Sequence, residues 1–251
     1  MASLTRSLRA LVAVCVLAAI PVVSIAAARP ASTPAPPGRA VSTPALTPGA
    51  PTAVPDAAPT PAPHKPYRHL DSAGQVVATW LDVPFISQLP DMPTGCEATS
   101  VAMLLQFAGV EISKEQVAAE MPYSDDPNLG FQGDPYDYSG GIIYPPALLD
   151  LVRSHVGTAE DLSGIDLDTL KATIDAGKPV IVWFLPTAAD SHTVVVTGYT
   201  DTDILINDPA EGLTDPFGYI PDSPGDGKNL ALPIDAFLQY WGGSGNLALS
   251  Y

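Results

Sequence analysis

The apolar residues between positions 96 and 176 follow the period of α-helices. In the first helix they are Ala98, Val101, Ala102, Leu105 and Ala108, and Gly109 follows as a typical helix terminator. Ser113 and Gln116 form a capping box, which predicts a second, short helix that Pro122 ends. Two more helices are predicted, from Pro145 to His155 and from Asp166 or Asp168 to Ala176, each followed by a glycine.

Apolar and β-branched runs in the second half of the chain predict strands. Pro179–Leu185 is a nearly continuous apolar run, typical of a buried strand, and Thr193–Tyr199 is rich in valine and threonine. Ile204–Ile206 is expected to pair back on the latter as a hairpin. Weaker patterns predict strands at Val76–Trp80 and Leu247–Tyr251 and a short helix at Pro233–Tyr240. Because helices come first and strands later, without βαβ alternation, we expect an α+β fold.

The first 66 residues differ in composition from the rest of the chain. Residues 1–28 combine two arginines, an apolar stretch and an alanine-rich end, which is the pattern of an export signal peptide. An uncleaved membrane anchor is the alternative, because the apolar stretch is just long enough to span a bilayer. Residues 29–66 hold 12 of the chain's 28 prolines and predict a disordered linker. Residues 67–251 remain for one folded domain, which the signal would make secreted or cell-surface.

The folded part is strongly acidic, with 26 acidic and five basic residues after position 70. Such a domain repels phosphate groups, so nucleic acid and anionic membranes are excluded as its partners, unless the N-terminal segment stays in a membrane. This charge does not exclude a peptide or protein substrate, and we expect a monomer that needs no cofactor and no metal. A calcium-stabilised surface protein stays open as an alternative, although no twelve-residue calcium loop is present. Its candidate ligands are Asp125, Asp126, Asp201 and Asp203.

The cysteine count points to one residue. Cys15 lies inside the predicted signal peptide, so Cys96 would be the only thiol of the mature protein, which excludes an intramolecular disulfide. Cys96 stands at the start of the first helix, where backbone dipoles and unpaired N–H groups favour a thiolate. Glu97 is expected to point to solvent, and Gly95 to let backbone and substrate approach closely. An ordinary buried cysteine is the alternative interpretation.

A nucleophilic cysteine needs a base, and His192 is the best placed of the four histidines because it opens the strand Thr193–Tyr199. Asp208 ends the next strand, so hairpin geometry brings it within a few residues of His192, whose tautomer it could fix. Gln88, eight residues before Cys96, could join the Cys96 N–H in binding an oxyanion. The alternatives are a solvent-facing histidine and a simple strand-ending turn at Asp208.

Four segments carry a family resemblance, and they are Asp82–Gln88, Thr94–Ser100, Ser191–Tyr199 and Ile206–Pro209. Together they resemble papain-like cysteine peptidases, most closely exported relatives of the bacteriocin-processing, double-glycine leader peptidases. The resemblance implies a papain-like fold, in which an N-terminal helical part packs on an antiparallel sheet. It also implies that Gln88 is the oxyanion donor, Cys96 the nucleophile, His192 the base and Asp208 its orienting acceptor. Many members have Gly-Pro after the cysteine, where this chain has Glu97-Ala98.

These observations predict an exported thiol hydrolase that acts on peptide or other amide bonds. The irregular stretches Tyr123–Gly141 and Pro209–Lys228 are candidate walls of a substrate groove. Tyr136 and Tyr138 could bind substrate there, together with Gly95. A transferase in which an amine replaces water is one alternative, and a catalytically silent peptide-binding module is another.

Overall fold

The computed structural model describes residues 61–251 except residues 63, 188–189 and 212–226. The predicted signal peptide, residues 29–60 of the predicted linker and most of the predicted Pro209–Lys228 loop lie outside the described residues. His64, near the start of the described residues, packs on Phe107, and the centroids of the two rings lie 4.1 Å apart. Within the described ranges, no helix has both the length and the apolar character that a membrane crossing requires.

Five helices lie in the described part of the chain: α1 (Cys96–Phe107), α2 (Lys114–Glu120), α3 (Pro145–Val156), α4 (Leu167–Asp175) and α5 (Ile234–Gly243). Their ends carry capping residues and a terminating glycine that the sequence predicts. Ser113 and Gln116 make both hydrogen bonds of the capping box at α2, and Asp166 caps α4 by accepting a hydrogen bond from the Thr169 N–H. Gly157 ends α3 in the left-handed conformation, which glycine adopts without strain.

The described strands form one antiparallel sheet, and they are β1 (Tyr67–Leu70), β2 (Val76–Trp80), β3 (Glu160–Asp161), β4 (Val180–Thr187), β5 (Asp190–Thr200), β6 (Asp203–Asn207), β7 (Leu230–Pro233) and β8 (Ala248–Ser250). Strand β5 is central, because it pairs with β2, β4 and β6. The hairpin β5–β6 places Val195 opposite Asn207. The histidine at the start of β5 and the carboxylate after β6 therefore lie at the same end of the sheet.

Helix α1 forms the centre of the core. All of its residues except Gln106 are buried, as expected for a helix that is apolar on most faces. It packs against β5 and β4, and the Ser100 hydroxyl donates a 3.3 Å hydrogen bond to the backbone carbonyl of Thr193. This contact fixes the first turns of α1 beside the start of β5.

The predicted α+β class is therefore confirmed, with helices packed on an antiparallel sheet. Strands β1, β3 and β7 were not expected from the sequence. The residues of β1 and β3 are all exposed, so these strands carry no alternation of buried and exposed positions that would identify them. Leu81–Ile86, which has an extended-looking sequence, forms no strand, although the Leu81 N–H still bonds the Thr197 carbonyl at 2.7 Å.

Candidate active site

The structure brings His192 and Asp208 together. The Nε2 atom of His192 lies 2.7 Å from Oδ1 of Asp208, and both side chains are about nine-tenths buried. The same carboxylate oxygen accepts a 2.8 Å hydrogen bond from the Ala210 N–H, which fixes its orientation. Because Nε2 is bonded to the carboxylate, Nδ1 is the ring nitrogen that can exchange a proton with another group.

Asp208 is held in place by its buried neighbour Asn207. The Asn207 amide nitrogen donates to the carbonyls of Val83 at 3.2 Å and Pro84 at 3.4 Å, and its oxygen accepts from the Asn229 N–H at 2.9 Å. These bonds connect the end of β6 to the segment that leads toward Gln88. The positioning role of Asn207 was not recognised from the sequence, where it looked like part of a turn.

Gln88 is buried in the segment that leads to α1. Its backbone N–H donates to the Pro209 carbonyl at 2.8 Å, and its Nε2 donates to the Pro93 carbonyl at 2.9 Å. A carboxamide nitrogen carries two N–H groups, so one remains for another acceptor. The N–H of Cys96, the first residue of α1, makes no hydrogen bond among those of the described residues. Two donors are therefore available near the start of α1.

Lys114, at the start of α2, fixes the backbone of the loop that carries Gln88. Its Nζ donates to the carbonyls of Ser87 at 2.9 Å and Gln88 at 3.1 Å, and it lies 3.5 Å from the Asp91 carboxylate. The side chain is only 9% exposed, which is unusual for a lysine. From the sequence this residue looks like an ordinary charge in the first turn of a helix, so no local signal reveals its role.

Cys96 and Glu97 depart from expectation. Glu97 does not point to solvent: its side chain is fully buried, and its Oε2 accepts a 3.2 Å hydrogen bond from the Cys96 thiol. Its Oε1 accepts from the N–H of Ile143 at 3.4 Å. The prediction failed because the segment before α3, which the sequence pattern could not locate, covers this side of α1. Cys96 itself is 7% exposed, and its sulfur is in contact with the Glu97 carboxylate.

The same geometry sets the protonation of the site. Burial raises the pKa of the Cys96 thiol well above its usual value, and Glu97 raises it further through its charge and its hydrogen bond, while Thr193 opposes this. The expected low pKa at a helix N-terminus is therefore wrong for this site. Burial also raises the pKa of Glu97 to about 7. Burial disfavours the imidazolium of His192, but Asp208, and after it Glu97, raise the pKa of His192 above its ordinary value.

Gly95 and Thr94 connect the start of α1 to the tyrosine-bearing loop. A Cβ on Gly95 would lie 2.7 Å from the Cβ of Met92, so the turn before α1 itself requires a glycine at this position. The Thr94 hydroxyl donates to the carbonyls of Asp134 at 3.3 Å and Asp137 at 2.9 Å. The loop that carries the candidate residues Tyr136 and Tyr138 is thus fixed two residues before Cys96, and Tyr138 is 90% exposed.

Other polar residues serve different contacts. His155 pairs with Glu120, with 2.6 Å between Nε2 and Oε2. Asp126 accepts hydrogen bonds from Asn128, and Asp203 from Thr200 and Thr202. In the part of the chain that the structure describes, no three His, Cys, Asp or Glu side chains form a group able to hold a metal ion.

The sheet, the central helix and the residues at their junction define a class, the papain-like α+β fold of C39 peptidases. The chain belongs to the Peptidase_C39 like family, whose sequence model matches residues 80–247. Membership of this family indicates a function of the cysteine-peptidase type.

Three known proteins illustrate the relationship. YvpB, an uncharacterized protein of Bacillus subtilis (strain 168), is 31% identical over 200 residues, which cover 67% of this chain and 74% of YvpB. The crystal structure of a C39-like peptidase from Bacillus anthracis is 30% identical, with a TM-score of 0.57, covering 68% of this chain and 94% of that chain. A double glycine motif protease from an AMS/PCAT transporter, solved with its leader peptide, is 20% identical with a TM-score of 0.42, covering 68% of this chain and 91% of that chain.

Proposed function

We propose that this chain is an exported cysteine-dependent hydrolase that cleaves peptide bonds with Cys96 as nucleophile. The observation that carries the proposal is the buried 2.7 Å pair of His192 and Asp208 at the start of β5, beside the first turns of α1. Membership of a cysteine-peptidase family supports the same chemistry. Export is proposed from the N-terminal sequence pattern alone.

In the proposed reaction, Cys96 gives its thiol proton to His192, its sulfur attacks the carbonyl carbon, and the carbonyl oxygen becomes an oxyanion. The Cys96 N–H and the second N–H of the Gln88 carboxamide would stabilise that charge. The resulting imidazolium of His192, which the Asp208 carboxylate stabilises, donates its proton to the leaving amine. A water molecule then attacks the thioester, with His192 as the base, and releases the acid.

The loop from Tyr123 to Gly141 is proposed as one wall of the substrate groove. It is anchored by buried Phe131 and by Thr94, two residues before Cys96, and it exposes Tyr136 and Tyr138 to solvent. Exposed aromatic side chains supply a large contact area to a bound peptide. The acidic residues of this loop favour a substrate with positive charge.

The test is cleavage of a diverse peptide library by the full chain, followed by mass spectrometry. We expect cleavage by the wild-type protein and none by Cys96→Ala, with His192→Ala reduced about 10²-fold or more. Cys15→Ala is the matched control, and its activity should be unchanged. If the wild-type protein cleaves nothing but still binds peptides equally with or without the thiol, the chain is a binding module.

Product analysis distinguishes a hydrolase from a transferase that uses the same nucleophile. With a competing amine present, a hydrolase releases mainly the free acid, whereas a transferase yields the new amide. An amide product formed in preference to the acid would overturn hydrolysis while leaving Cys96 as nucleophile.

A further inference from the structure

The buried carboxyl group of Glu97 bonds two different parts of the site, although the cleavage proposed above does not use it. Its Oε2 lies 3.2 Å from the Cys96 sulfur, and its Oε1 accepts a 3.4 Å hydrogen bond from the N–H of Ile143. The carbonyl of Ile143 accepts a 2.9 Å hydrogen bond from the indole of Trp183 on β4. These bonds fix the backbone of Ile143 and hold the carboxyl group with Oε2 toward the sulfur.

Cys96 and Glu97 are too close together for both to be ionised. A carboxylate and a thiolate 3.2 Å apart, both buried, would repel each other strongly in a medium of low dielectric constant. The reaction nevertheless needs the thiolate, because that form of the sulfur is the nucleophile. A neutral Glu97 permits the thiolate, whereas an ionised Glu97 suppresses it.

A neutral Glu97 also supplies a hydrogen-bond donor that faces the sulfur. The N–H of Ile143 needs an acceptor, and Oε1 is that acceptor. The proton of the neutral carboxyl group therefore belongs on Oε2, the oxygen in contact with Cys96. A hydrogen bond to an ionised acceptor is about twice as strong as one between neutral groups. The contact in which the thiol donates can thus reverse its direction and stabilise the thiolate.

We infer that Glu97 acts in its neutral form, as a catalytic residue whose O–H donates a hydrogen bond to the Cys96 thiolate. This inference rests on the proposed function and leaves the proton transfers of that reaction with His192. The neighbouring residues that act on this carboxyl group are Cys96 on α1, His192 on β5 and Ile143 before α3. Because burial raises the pKa of Glu97 to about 7, a slightly acidic medium is enough to neutralise it.

Glu97 takes its proton from solvent before the reaction and keeps it throughout. The Cys96 thiol proton passes to His192, the C–S bond forms, and the electron pair of the C=O bond moves to the oxygen. The C=O bond forms again as the C–N bond breaks, and His192 gives its proton to the amine. Water then attacks the thioester and gives a proton to His192. The C–S bond breaks, the sulfur recovers this proton from His192, and one acid and one amine have been released.

The decisive measurement is the rate of Cys96 alkylation by iodoacetamide in the full chain between about pH 5.5 and 8.5, followed by mass spectrometry of the fragment that carries Cys96. In the wild-type protein we expect the rate to fall at least about tenfold as the pH rises through 7, because an anion then replaces a donor beside the sulfur. An ordinary thiol behaves in the opposite way, since its alkylation rises toward its pKa of about 8.5.

Glu97→Gln removes the titration and keeps both contacts, because the amide oxygen can accept from Ile143 while the amide nitrogen donates to the sulfur. In this variant the fall should disappear, so at pH 8 Cys96 should react at least about tenfold faster than in the wild-type protein. Glu111→Gln makes the same chemical change at an exposed position and should keep the wild-type profile. The pH profile of kcat/KM for peptide cleavage should differ among the three proteins in the same way, whereas a merely structural role of Glu97 would not move it.

A wild-type rate that stays level or rises between pH 6 and 8 would overturn the inference, and so would identical profiles of the wild-type protein and Glu97→Gln. If Glu97→Gln does not fold, the wild-type profile decides: a fall near pH 7 supports the inference and its absence overturns it.

The two proposals fail in different ways. If the wild-type protein cleaves no peptide, but its alkylation falls through pH 7 and Glu97→Gln abolishes the fall, the hydrolase proposal fails and the hydrogen bond to the thiolate is supported. If the wild-type protein and Glu97→Gln cleave peptides with the same pH profile, the hydrolase is supported and the role of Glu97 is overturned.

Discussion

Replacement of Lys114 by methionine tests whether the hydrogen bonds of Lys114 position the loop that carries Gln88. The ammonium donates hydrogen bonds of 2.9 and 3.1 Å to the carbonyls of Ser87 and Gln88. Removing a charged donor costs roughly 1.5–3 kcal/mol for each bond when its partner stays buried. Methionine keeps the apolar length and avoids the cost of burying a charge. We therefore expect a net loss of about 3 kcal/mol in the free energy of unfolding.

For a domain of this size, that loss corresponds to a fall of about 6–12 °C in Tm, measured by calorimetry. Because Gln88 would leave its position, kcat for peptide cleavage should fall at least about tenfold, with a smaller change in KM. Lys178→Met is the matched control: Lys178 lies 3.5 Å from Glu160 near the surface, where an ion pair contributes about 1 kcal/mol or less. If Lys114→Met keeps both the Tm and kcat of the wild-type protein, the reasoning is refuted.

Three further predictions concern the site and its walls. Asp208→Asn should lower kcat about 10²-fold or more and lower the pKa of the neighbouring imidazole; an NMR titration unchanged from the wild type would contradict this. Because the folded-state pKa of Glu97 is raised from 4.5 to about 7, its contribution to stability is complete below pH 4.5 and is lost as the pH rises toward 7. Over that range the free energy of unfolding, measured by calorimetry, should fall by about 3 kcal/mol more in the wild-type protein than in Glu97→Gln. Parallel curves of this free energy against pH would disprove the prediction. In Gly140→Ala the new Cβ would collide with Thr94 Oγ1, so KM should rise and Tm should fall, whereas Gly242→Ala, with no atom within 4 Å, should change neither by much.

Much of the fold follows from local patterns in the sequence. The three- and four-residue spacing of α1 and the capping box of α2 are signals that short segments carry by themselves. The hairpin β5–β6 was enough to bring His192 and Asp208 together, since counting outward from its turn requires no knowledge of the remaining fold.

What local patterns could not predict depends on distant segments. The orientation of Glu97 is decided by the backbone of Ile143, which lies 46 residues further along the chain. Strand β7 is defined by its pairing with β6, and its own sequence alternates only weakly. Lys114 acquires its role from carbonyls 26 and 27 residues before it. In each case tertiary contacts overrode the local expectation.

The 2.8 Å bond between the Gln88 N–H and the Pro209 carbonyl joins two peptide units and involves no side chain. An alanine scan would therefore leave it intact, and among the natural amino acids only proline at position 88 would abolish the donor. The side chains around this connection can diverge between relatives while the amide-bearing loop and the carboxylate-bearing loop keep the same separation. Replacing this amide with an ester by chemical synthesis would measure the contribution of the connection directly.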